Sequence, residues 1–511
     1  RHTRYWRDWS SDVCSSDLAG DLFLSAGDSK NLASHQWVIA QITAYPSQRS
    51  PGVVCISEVL GKDLSPKMDN KIAVTKYGIP ENFSVKALRD AEQSVKLGLE
   101  ELKTPSPQRK DLRHLPFVTV DGEDAKDFDD ALSIRNLDNG NVEIGVHIAD
   151  VSHYIRPGSF LDKEAYDRGT SVYLVDRVIP MLPEKLSNGV CSLRPQEDKL
   201  CFSAVFEMNK KAHVLKQWFG KTIIHSNKRF HYDEAQAVIE TGQGPFAEEI
   251  LVMQELAKLL RAERFRKGAI AFEKAEVKFK LDETGKPLGV YLKENKDANK
   301  LIEEFMLLAN RTVAEFAGRR HVVTGRKQKQ EKDKSRETEA VSVQARPFVY
   351  RVHDGPVADR VQSFARFASR WGHALKFATD KEIAHSLNGL MKSVRGKKEQ
   401  NVLEQLAIRT MSKAVYTTEN IGHYGLAFEH YTHFTSPIRR YPDLIVHRAL
   451  KEFILKHHTS DKFTEGVDFI KLGEITSERE RRAMEAERFV TRRKQCWFMK
   501  PKLGEVFKGV I

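Results

Sequence analysis

An acidic turn between two apolar runs is the feature that most constrains this chain. Residues 118–134 read VTVDGEDAKDFDDALSI, and six of them are acidic: Asp121, Glu123, Asp124, Asp127, Asp129 and Asp130. Two carboxylates about 4 Å apart repel each other by about 4 kcal/mol at an effective dielectric of 20. A fold that gathers such groups must protonate some of them, spread them into water or bind cations.

The surroundings of the aspartates favour a cation site over a loop that spreads them into water, which remains the alternative. Phe128 and Ala131 interleave with the acids, so the turn is expected at a core edge. An EF-hand is excluded because Lys126 stands sixth from Asp121, where glycine is needed. Carboxylate oxygens select hard cations, so we interpret the turn as a cluster for one or two Mg²⁺ ions, with Mn²⁺ as a substitute. Such clusters activate water in phosphodiester hydrolysis.

A second segment, HYGLAFEHYTHFTSPIRRYPDLIVHR at 423–448, interleaves aromatic side chains with histidines and arginines. Aromatic faces stack on bases, and guanidinium groups pair with phosphates. Ser436 is predicted to cap a helix and Pro437 to be its first residue, which would supply N–H donors to a phosphate. The alternative is a set of core aromatics with a surface arginine pair. His430 and His433 are interpreted as core residues because no further zinc ligand lies nearby.

The charge of the chain points to a polyanionic partner. The 511 residues carry a formal net charge of +12, which favours nucleic acid, although a merely basic enzyme remains possible. Hydrophobic residues make up 41%, enough for a core, and no run approaches the roughly 18 apolar residues of a membrane span. The five cysteines form no C-x-x-C pair, so a zinc ribbon or a disulfide framework is not indicated and a reducing cytoplasm is expected.

Periodicity in the rest of the chain indicates both strands and helices. Residues 36–60 are predicted to form two strands, and Asn139-Gly140 to form a hairpin turn. The charged stretch 324–343 is interpreted as a solvated loop, with an RNA-contacting arm as the alternative. Helical periods are found at 84–103, 246–267, 299–318 and over most of 359–494.

Four blocks of the sequence resemble one known family. VTVDGEDAKDFDDA and HYTHFTSPIRRYPDLIVHR are similar to the two signature segments of the RNase II/RNase R (RNB) family of exoribonucleases. TSVYLVDRVIPMLPEKLSNGVCSL at 170–193 and NKLIEEFMLLAN at 299–310 resemble further family blocks in the family's order. The resemblance implies a processive 3′→5′ exoribonuclease that releases nucleoside 5′-monophosphates and uses Mg²⁺.

The resemblance also implies an α+β fold in which a central RNB catalytic domain with a mixed sheet follows an OB-type β-barrel. Members similar to RNase R carry OB domains on both sides, so this chain is expected to be truncated at both ends. The expected segments are a non-native tail at 1–18, a cold-shock/OB-like domain at 19–80, a helix and linker at 81–111, the RNB domain at 112–450, a helical part at 451–500 and the start of a truncated OB barrel at 501–511.

Matching motif positions assigns catalytic roles by resemblance. Asp121 and Asp130 would be metal ligands, and Asp127 and Asp129 would complete the cluster. Asp129 is expected to be the most sensitive position for catalysis. Arg439, the first arginine of PIRRY, would contact the phosphate and aid the chemical step.

The same matching assigns RNA contacts to Tyr173, Arg439, Arg440 and Glu487. Tyr173 in SVYLVDR would stack on the 3′-terminal nucleotide, and Glu487 in AERFV matches a family glutamate. The expected partner is single-stranded RNA, without a membrane, and the expected state is a cytoplasmic monomer. Two other hypotheses stay open, namely an RNA-binding module that no longer hydrolyses and a nuclease that acts mainly on DNA.

Overall fold

The computed structural model describes residues 22–25, 32–47, 50–62, 64–270, 276–318, 322–323, 343–344, 348–455 and 466–507. The expected tail at 1–18 lies outside these ranges, and so does the charged stretch up to residue 342. In the described ranges, no helix combines the length and the apolar character that crossing a membrane requires.

The fold is α+β, as expected, and a seven-stranded mixed sheet is its centre. Its strands run in the spatial order β12-β5-β6-β7-β10-β11-β4. Neighbouring strands are antiparallel except at the two edges, where β12 pairs with β5 and β4 with β11 in parallel. The strands are β4 (Lys110–Asp111), β5 (Phe117–Asp121), β6 (Asp130–Asn136), β7 (Val142–Ala149), β10 (Asp198–Met208), β11 (Val214–His225) and β12 (Lys228–His231).

Smaller sheets surround this centre. The N-terminal part forms a three-stranded sheet in the order β1-β3-β2, which contains the two strands predicted within 36–60. Two-stranded pairs make up the rest of the β-structure in the described ranges. These strands are β1 (Leu22–Leu24), β2 (Trp37–Ala44), β3 (Gly52–Gly61), β8 (Val172–Tyr173), β9 (Val178–Ile179), β13 (Glu276–Leu281), β14 (Pro287–Lys293), β15 (Val322–Val323), β16 (Val343–Gln344), β17 (Tyr350–Val352) and β18 (Val415–Thr417).

The helices follow the predicted periods, and local signals fix several of their ends. Ser84 caps α2 by accepting a hydrogen bond from the Ala87 N–H at 3.2 Å, and Gly169 ends α4 with a φ of 70°. The helices are α1 (Asp69–Lys76), α2 (Val85–Lys103), α3 (Val151–Tyr154), α4 (Phe160–Arg168), α5 (Tyr232–Thr241), α6 (Ala247–Lys267), α7 (Asp297–Gly318), α8 (Ala358–Ser369), α9 (Asp380–Val394), α10 (Gln400–Thr410), α11 (Tyr441–Leu455) and α12 (Phe469–Met499).

Both faces of the central sheet are covered. Along β5, Val118 and Val120 belong to the core that includes α7, whereas Phe117 belongs to the core that includes α2. This alternation follows from the two-residue period of a strand. Helix α11 contributes Leu444 to the second core and Leu450 to the first, so it ties the two together.

Two of the expected segments have a defined structure in the described ranges. Residues 104–111 are not a free linker, because β4 joins the sheet and Arg109 forms an ion pair with Asp150 at 2.7 Å, both side chains being nearly inaccessible. At the other end, residues 503–507 form no strand, and the Val506 side chain is exposed.

The asparagine-glycine hairpin is confirmed. Strands β6 and β7 pair from Asp130↔Ile148 to Asn136↔Val142, and Gly140 takes a φ of 79° in the turn between them. The pairing places His147 of β7 inside the sheet, where its ring nitrogens contact the hydroxyls of Ser133 and Ser203 at 2.8 and 2.7 Å.

His147 predicts a pH-dependent contribution to stability. Burial lowers the pKa of His147 to about 3, whereas an unfolded histidine titrates near about 6.5. The neutral ring therefore makes its full contribution to the free energy of unfolding above about pH 6.5, and this contribution decreases as the pH falls towards 3. We expect the loss in the free energy of unfolding caused by His147→Gln to be about 2 kcal/mol smaller at pH 5 than at pH 7, as measured by urea titration. An equal loss at both pH values would contradict this prediction. The control is His213→Gln, because His213 is exposed in the turn between β10 and β11.

Candidate active site

The acidic turn lies where two strands of the central sheet separate. Strands β5 and β6 pair only at Phe117↔Ser133 and Val118↔Leu132. Beyond this point β5 pairs with β12 as far as Asp121, while β6 begins at Asp130 beside β7. The turn between Asp121 and Asp130 therefore leaves the sheet from a gap with a fixed strand on either side.

Contacts from other elements hold the turn in place. Ser192 accepts a hydrogen bond from the Phe128 N–H at 3.1 Å and donates one to the Lys126 carbonyl at 2.7 Å. The Ala149 N–H donates to the Asp129 carbonyl at 2.8 Å. The turn is therefore built into the fold, unlike the loop spread into water that was the alternative interpretation.

The four aspartates occupy an environment that disfavours their charge. Asp129 is buried, and Asp121, Asp127 and Asp130 are half-buried. Burial raises the pKa of all four groups. For Asp121 the value is about 8, because repulsion from Asp130 adds to burial, and for Asp130 it is about 6. Arg439 acts in the opposite direction on each of them.

These carboxylates suit a divalent cation in their chemistry but are not arranged as a finished ligand set. Within the described ranges, no group of three or more His, Cys, Asp or Glu side chains is positioned so that it could already hold a metal ion. The interpretation of the turn as a site for one or two Mg²⁺ ions stays a prediction. The donor set fits a hard cation, because it consists of carboxylate oxygens of buried or half-buried aspartates, with Arg439 as a nearby countercharge.

The second sequence segment meets the acidic turn directly. The Ile438 N–H donates to Asp129 Oδ1 at 2.9 Å, and Arg439 Nε lies 3.8 Å from Asp129 Oδ2. The Arg439 side chain is 41% exposed and donates through Nη2 to Ser436 Oγ at 2.9 Å. The Arg439 guanidinium therefore lies beside the Asp129 carboxylate and is also partly accessible to solvent.

The predicted helix start at Ser436 and Pro437 is wrong, because α11 begins at Tyr441. The preceding residues, 436–440, form a turn that we call the arginine turn. Carboxylate side chains accept hydrogen bonds from two of its N–H groups. Asp443 accepts from the Ser436 N–H at 2.8 Å, while Ile438 donates to Asp129. The donors that a helix end would have offered to a phosphate are thus partly used by carboxylates.

Tyr173 and Glu487 lie next to this turn. The Tyr173 hydroxyl stands 3.4 Å from Asp127 Oδ2, and its backbone N–H donates to Glu487 Oε1 at 2.9 Å. The segment that leads into β8 is fixed to the arginine turn, because the Ser171 N–H donates to the Arg439 carbonyl at 2.9 Å. Tyr173, Arg439 and Glu487 therefore form one connected group.

A cavity of about 1740 Å³ opens beside this group and includes Tyr173, Arg439, Arg440 and Glu487 in its lining. Its apolar side chains include Phe364 and Phe367 of α8 and Leu406 of α10. The basic side chains of the lining include Arg351, Arg409, Lys413, Arg439, Arg481 and Arg488. They outnumber the acidic ones, Asp359, Glu480 and Glu487, so the cavity suits a polyanion.

Arg440 and the nearby histidines are held by internal contacts. Arg440 Nη2 bonds to Asp443 Oδ1 at 2.9 Å, and this partnership raises the pKa of Arg440 even though burial acts in the opposite direction. His433 Nδ1 lies 2.7 Å from the Tyr416 hydroxyl, which agrees with its interpretation as a core residue.

Several residues that build the site were not found from the sequence. Ser192 and Arg229 hold the acidic turn but are far from it along the chain, and no local pattern marks them. The ion pair of Asp443 could have been predicted from the sequence, because Asp443 stands three residues after Arg440 and can pair with it across one helical turn.

Comparisons with known proteins agree with this architecture. Residues 109–456 match the RNB domain family, and residues 14–84 match the cold shock domain family. The fold and the site thus define a protein with an RNB domain that follows a cold shock domain. The RNB match covers well over half of the chain. The chain belongs to the RNB family.

Its relatives within the family are ribonucleases R. The chain is 38% identical over 507 residues to ribonuclease R of Thermotoga maritima, covering 97% of this chain and 67% of the relative. It is 37% identical over 483 residues to ribonuclease R 1 of Lactococcus lactis, covering 93% of this chain but only 56% of the relative. The chain therefore spans between half and two thirds of the length of these relatives.

Solved structures show the same fold. Mycoplasma genitalium RNase R, in complex with ribose-methylated single-stranded RNA, matches with a TM-score of 0.82 and 25% identity, over 96% of this chain and 73% of that one. Yeast Ssd1, described as a pseudonuclease, matches with a TM-score of 0.67 and 19% identity, over 92% of this chain and 56% of that one. The fold alone therefore does not decide whether a chain hydrolyses RNA.

The Asp443–Arg440 pair predicts a large stability effect. Removing the charge of Asp443 leaves Arg440 buried without its anion, which costs about 3–5 kcal/mol in comparable buried pairs. We expect Asp443→Asn to lower the free energy of unfolding by that amount in urea titrations. Glu143→Gln is the control, because its partner Arg135 is exposed and such pairs contribute about 0–1 kcal/mol. Equal losses in both variants would contradict the assignment.

Proposed function

We propose that this chain is a 3′→5′ exoribonuclease that hydrolyses single-stranded RNA processively to nucleoside 5′-monophosphates. The observation that carries the proposal is the 3.8 Å approach of Arg439 Nε to Asp129 Oδ2, at the edge of a basic cavity. An arginine placed there reaches both the carboxylate cluster and a phosphate entering from the cavity. The relationship to ribonucleases R supports the choice of RNA as the substrate.

The proposed cofactor is Mg²⁺, with Mn²⁺ as a substitute, held by Asp121, Asp127, Asp129 and Asp130. RNB-family ribonucleases are metal-dependent hydrolases, and an all-oxygen donor set favours these ions over softer metals. When bound, a divalent cation would polarise the phosphoryl group and stabilise charge on the leaving oxygen. The like-charged aspartates would lose their mutual repulsion at the same time.

The residues around the cluster have distinct proposed roles. The guanidinium of Arg439 binds the scissile phosphate and balances charge that develops in the transition state. Tyr173 stacks on the 3′-terminal base, because 40% of the residue is exposed and it lines the cavity. Glu487 fixes Tyr173 through its backbone N–H. Arg440 keeps its proposed place in RNA binding, supported by its position in the cavity lining.

The cavity explains how a single strand would be held without base-specific contacts. Basic side chains such as Arg409 and Arg488 and aromatic side chains such as Phe364 and Phe367 line the same cavity. Phosphates would pair with the basic groups, and bases would stack on the aromatic rings. Binding is expected to weaken steeply with salt because each phosphate contact releases counterions.

The proposed cellular setting is a cytoplasmic monomer in which the cold shock domain and the RNB domain bind RNA together. The proposed domain limits remain 19–80 and 112–450, with the helical part at 451–500. The buried Cys191 and Cys201 and the exposed Cys496 are free thiols, which supports a reducing compartment.

The central test uses Asp129→Asn with RNA labelled at either end. We expect the unsubstituted chain with Mg²⁺ to release labelled mononucleotide at once from 3′-labelled RNA and only late from 5′-labelled RNA. Asp129→Asn should slow release by at least about 100-fold while RNA affinity is retained. Asp138→Asn, on the exposed hairpin turn, is the matched control.

Other outcomes point to the alternative functions. RNA binding by the unsubstituted chain without any mononucleotide product would refute hydrolysis and favour an RNA-binding module. Equal rates on RNA and on the matching DNA would refute RNA specificity, because discrimination depends on contacts to the 2′-hydroxyl. Full activity of Asp129→Asn would remove the carboxylate cluster from the mechanism.

A further inference from the structure

Arg229 contacts the acidic turn from the neighbouring edge strand. It lies on β12, which pairs with β5 up to the Asp121↔His231 position. Its Nη2 atom donates to the carbonyl oxygens of Gly122 at 2.9 Å and Glu123 at 2.8 Å, and lies 3.4 Å from the carbonyl oxygen of Ala125. One guanidinium nitrogen therefore contacts three carbonyl oxygens of the segment between Asp121 and Asp127.

The same side chain also fixes the far end of the turn. The Arg229 guanidinium carbon lies 4.7 Å from the centre of the Phe128 ring, and Phe128 is buried between Asp127 and Asp129. A cation over an aromatic face is attracted to it and restricts the position of the ring. Arg229 thus contacts both the entry to the turn and the residue between two of the aspartates.

Arg229 keeps one donor unused in the described part of the chain. Its Nε atom is buried and has no hydrogen-bond partner. A buried N–H group without a partner lowers the stability of the folded state. The fold is therefore expected to retain one only where other interactions of the same side chain outweigh that loss. The Arg229 charge also acts on Asp121, whose carboxylate it favours over the neutral acid.

Two effects of Arg229 on a divalent cation would have opposite signs. Its positive charge repels a cation bound at the aspartates, so this effect alone would make removal of Arg229 strengthen binding. Its hydrogen bonds fix the backbone from which the aspartates extend, so this effect alone would make removal weaken binding. The sign of the change therefore separates a positioning role from a purely electrostatic one.

We propose that Arg229 is a positioning residue, which holds the turn 121–130 in the shape that allows its aspartates to bind a divalent cation. The proposal rests on the function proposed above. All four aspartates extend from the turn 121–130, so a turn held in one shape lowers the cost of bringing them around an ion. Residues that orient ligands in this way typically change metal affinity by about 10–100-fold when replaced.

The test compares Arg229→Met, which removes charge and donors, with Arg229→Lys, which keeps the charge but loses the planar fork. Mn²⁺ is the probe, and free Mn²⁺ is measured by electron paramagnetic resonance during titration of the full chain. Arg135→Met is the matched control, since Arg135 is exposed on the same sheet and pairs with Glu143. RNA affinity in EDTA and the melting temperature are measured for every variant.

A positioning role predicts that both Arg229 variants bind Mn²⁺ at least about tenfold more weakly, whereas Arg135→Met binds like the unsubstituted chain. RNA affinity in EDTA should stay within about twofold, because the contacts of Arg229 are to the protein backbone. If Arg229→Met unfolds, Arg229→Lys alone decides, and unchanged Mn²⁺ affinity in that variant overturns the proposal.

Other results also overturn it. Tighter Mn²⁺ binding by Arg229→Met with unchanged binding by Arg229→Lys would show an effect of charge alone. A parallel loss of RNA affinity in EDTA would make Arg229 an RNA contact. If the unsubstituted chain binds Mn²⁺ and the variants weaken this binding, but RNA is not hydrolysed, the inference stands and the proposed function fails.

Discussion

The structure depends on one constraint, the placing of four buried or half-buried aspartates in one turn, where Arg439 opposes the charge of all four and Arg229 opposes that of Asp121. Burial raises the pKa of each carboxylate, so the folded chain holds this cluster against a free-energy cost. Such a cost is maintained only where the surrounding fold compensates for it. Here the compensation comes from the paired strands on both sides of the turn and from Ser192 and Arg229 beneath it.

The arginine turn depends on the same cluster. Asp129 binds the Ile438 N–H, and Asp443 binds the Ser436 N–H, so carboxylates replace the helix end that the sequence predicted. The Arg439 carbonyl in turn accepts from Ser171, in the segment that carries Tyr173. The carboxylate cluster, Arg439 with its proposed phosphate contact and Tyr173 with its proposed base stacking are thereby linked through hydrogen bonds, so a change in one part is expected to shift the others.

The sequence predicted those parts of the fold that local patterns determine. The Asn139-Gly140 turn and the helical periods at 84–103, 246–267 and 299–318 each correspond to a single element, because their causes lie within a few residues. The meeting of Asp129 with Arg439 was inferred from complementary chemistry and a family resemblance. The role of Arg229 could not be inferred, because it acts on carbonyl oxygens more than a hundred residues away. The helix start at Ser436 was wrong because distant carboxylates outweighed a local capping signal.

The most direct measurement of the central claim is a double-mutant cycle between Asp129 and Arg439. Single-turnover cleavage of 5′-labelled single-stranded RNA is followed for Asp129→Asn, Arg439→Gln and the double variant. If the two side chains act as one unit, the double variant should be slower than the slower single variant by no more than about threefold. If the rate of the double variant is lowered by the product of the two single-variant factors, the side chains act independently. That result would contradict a shared site built from the two segments.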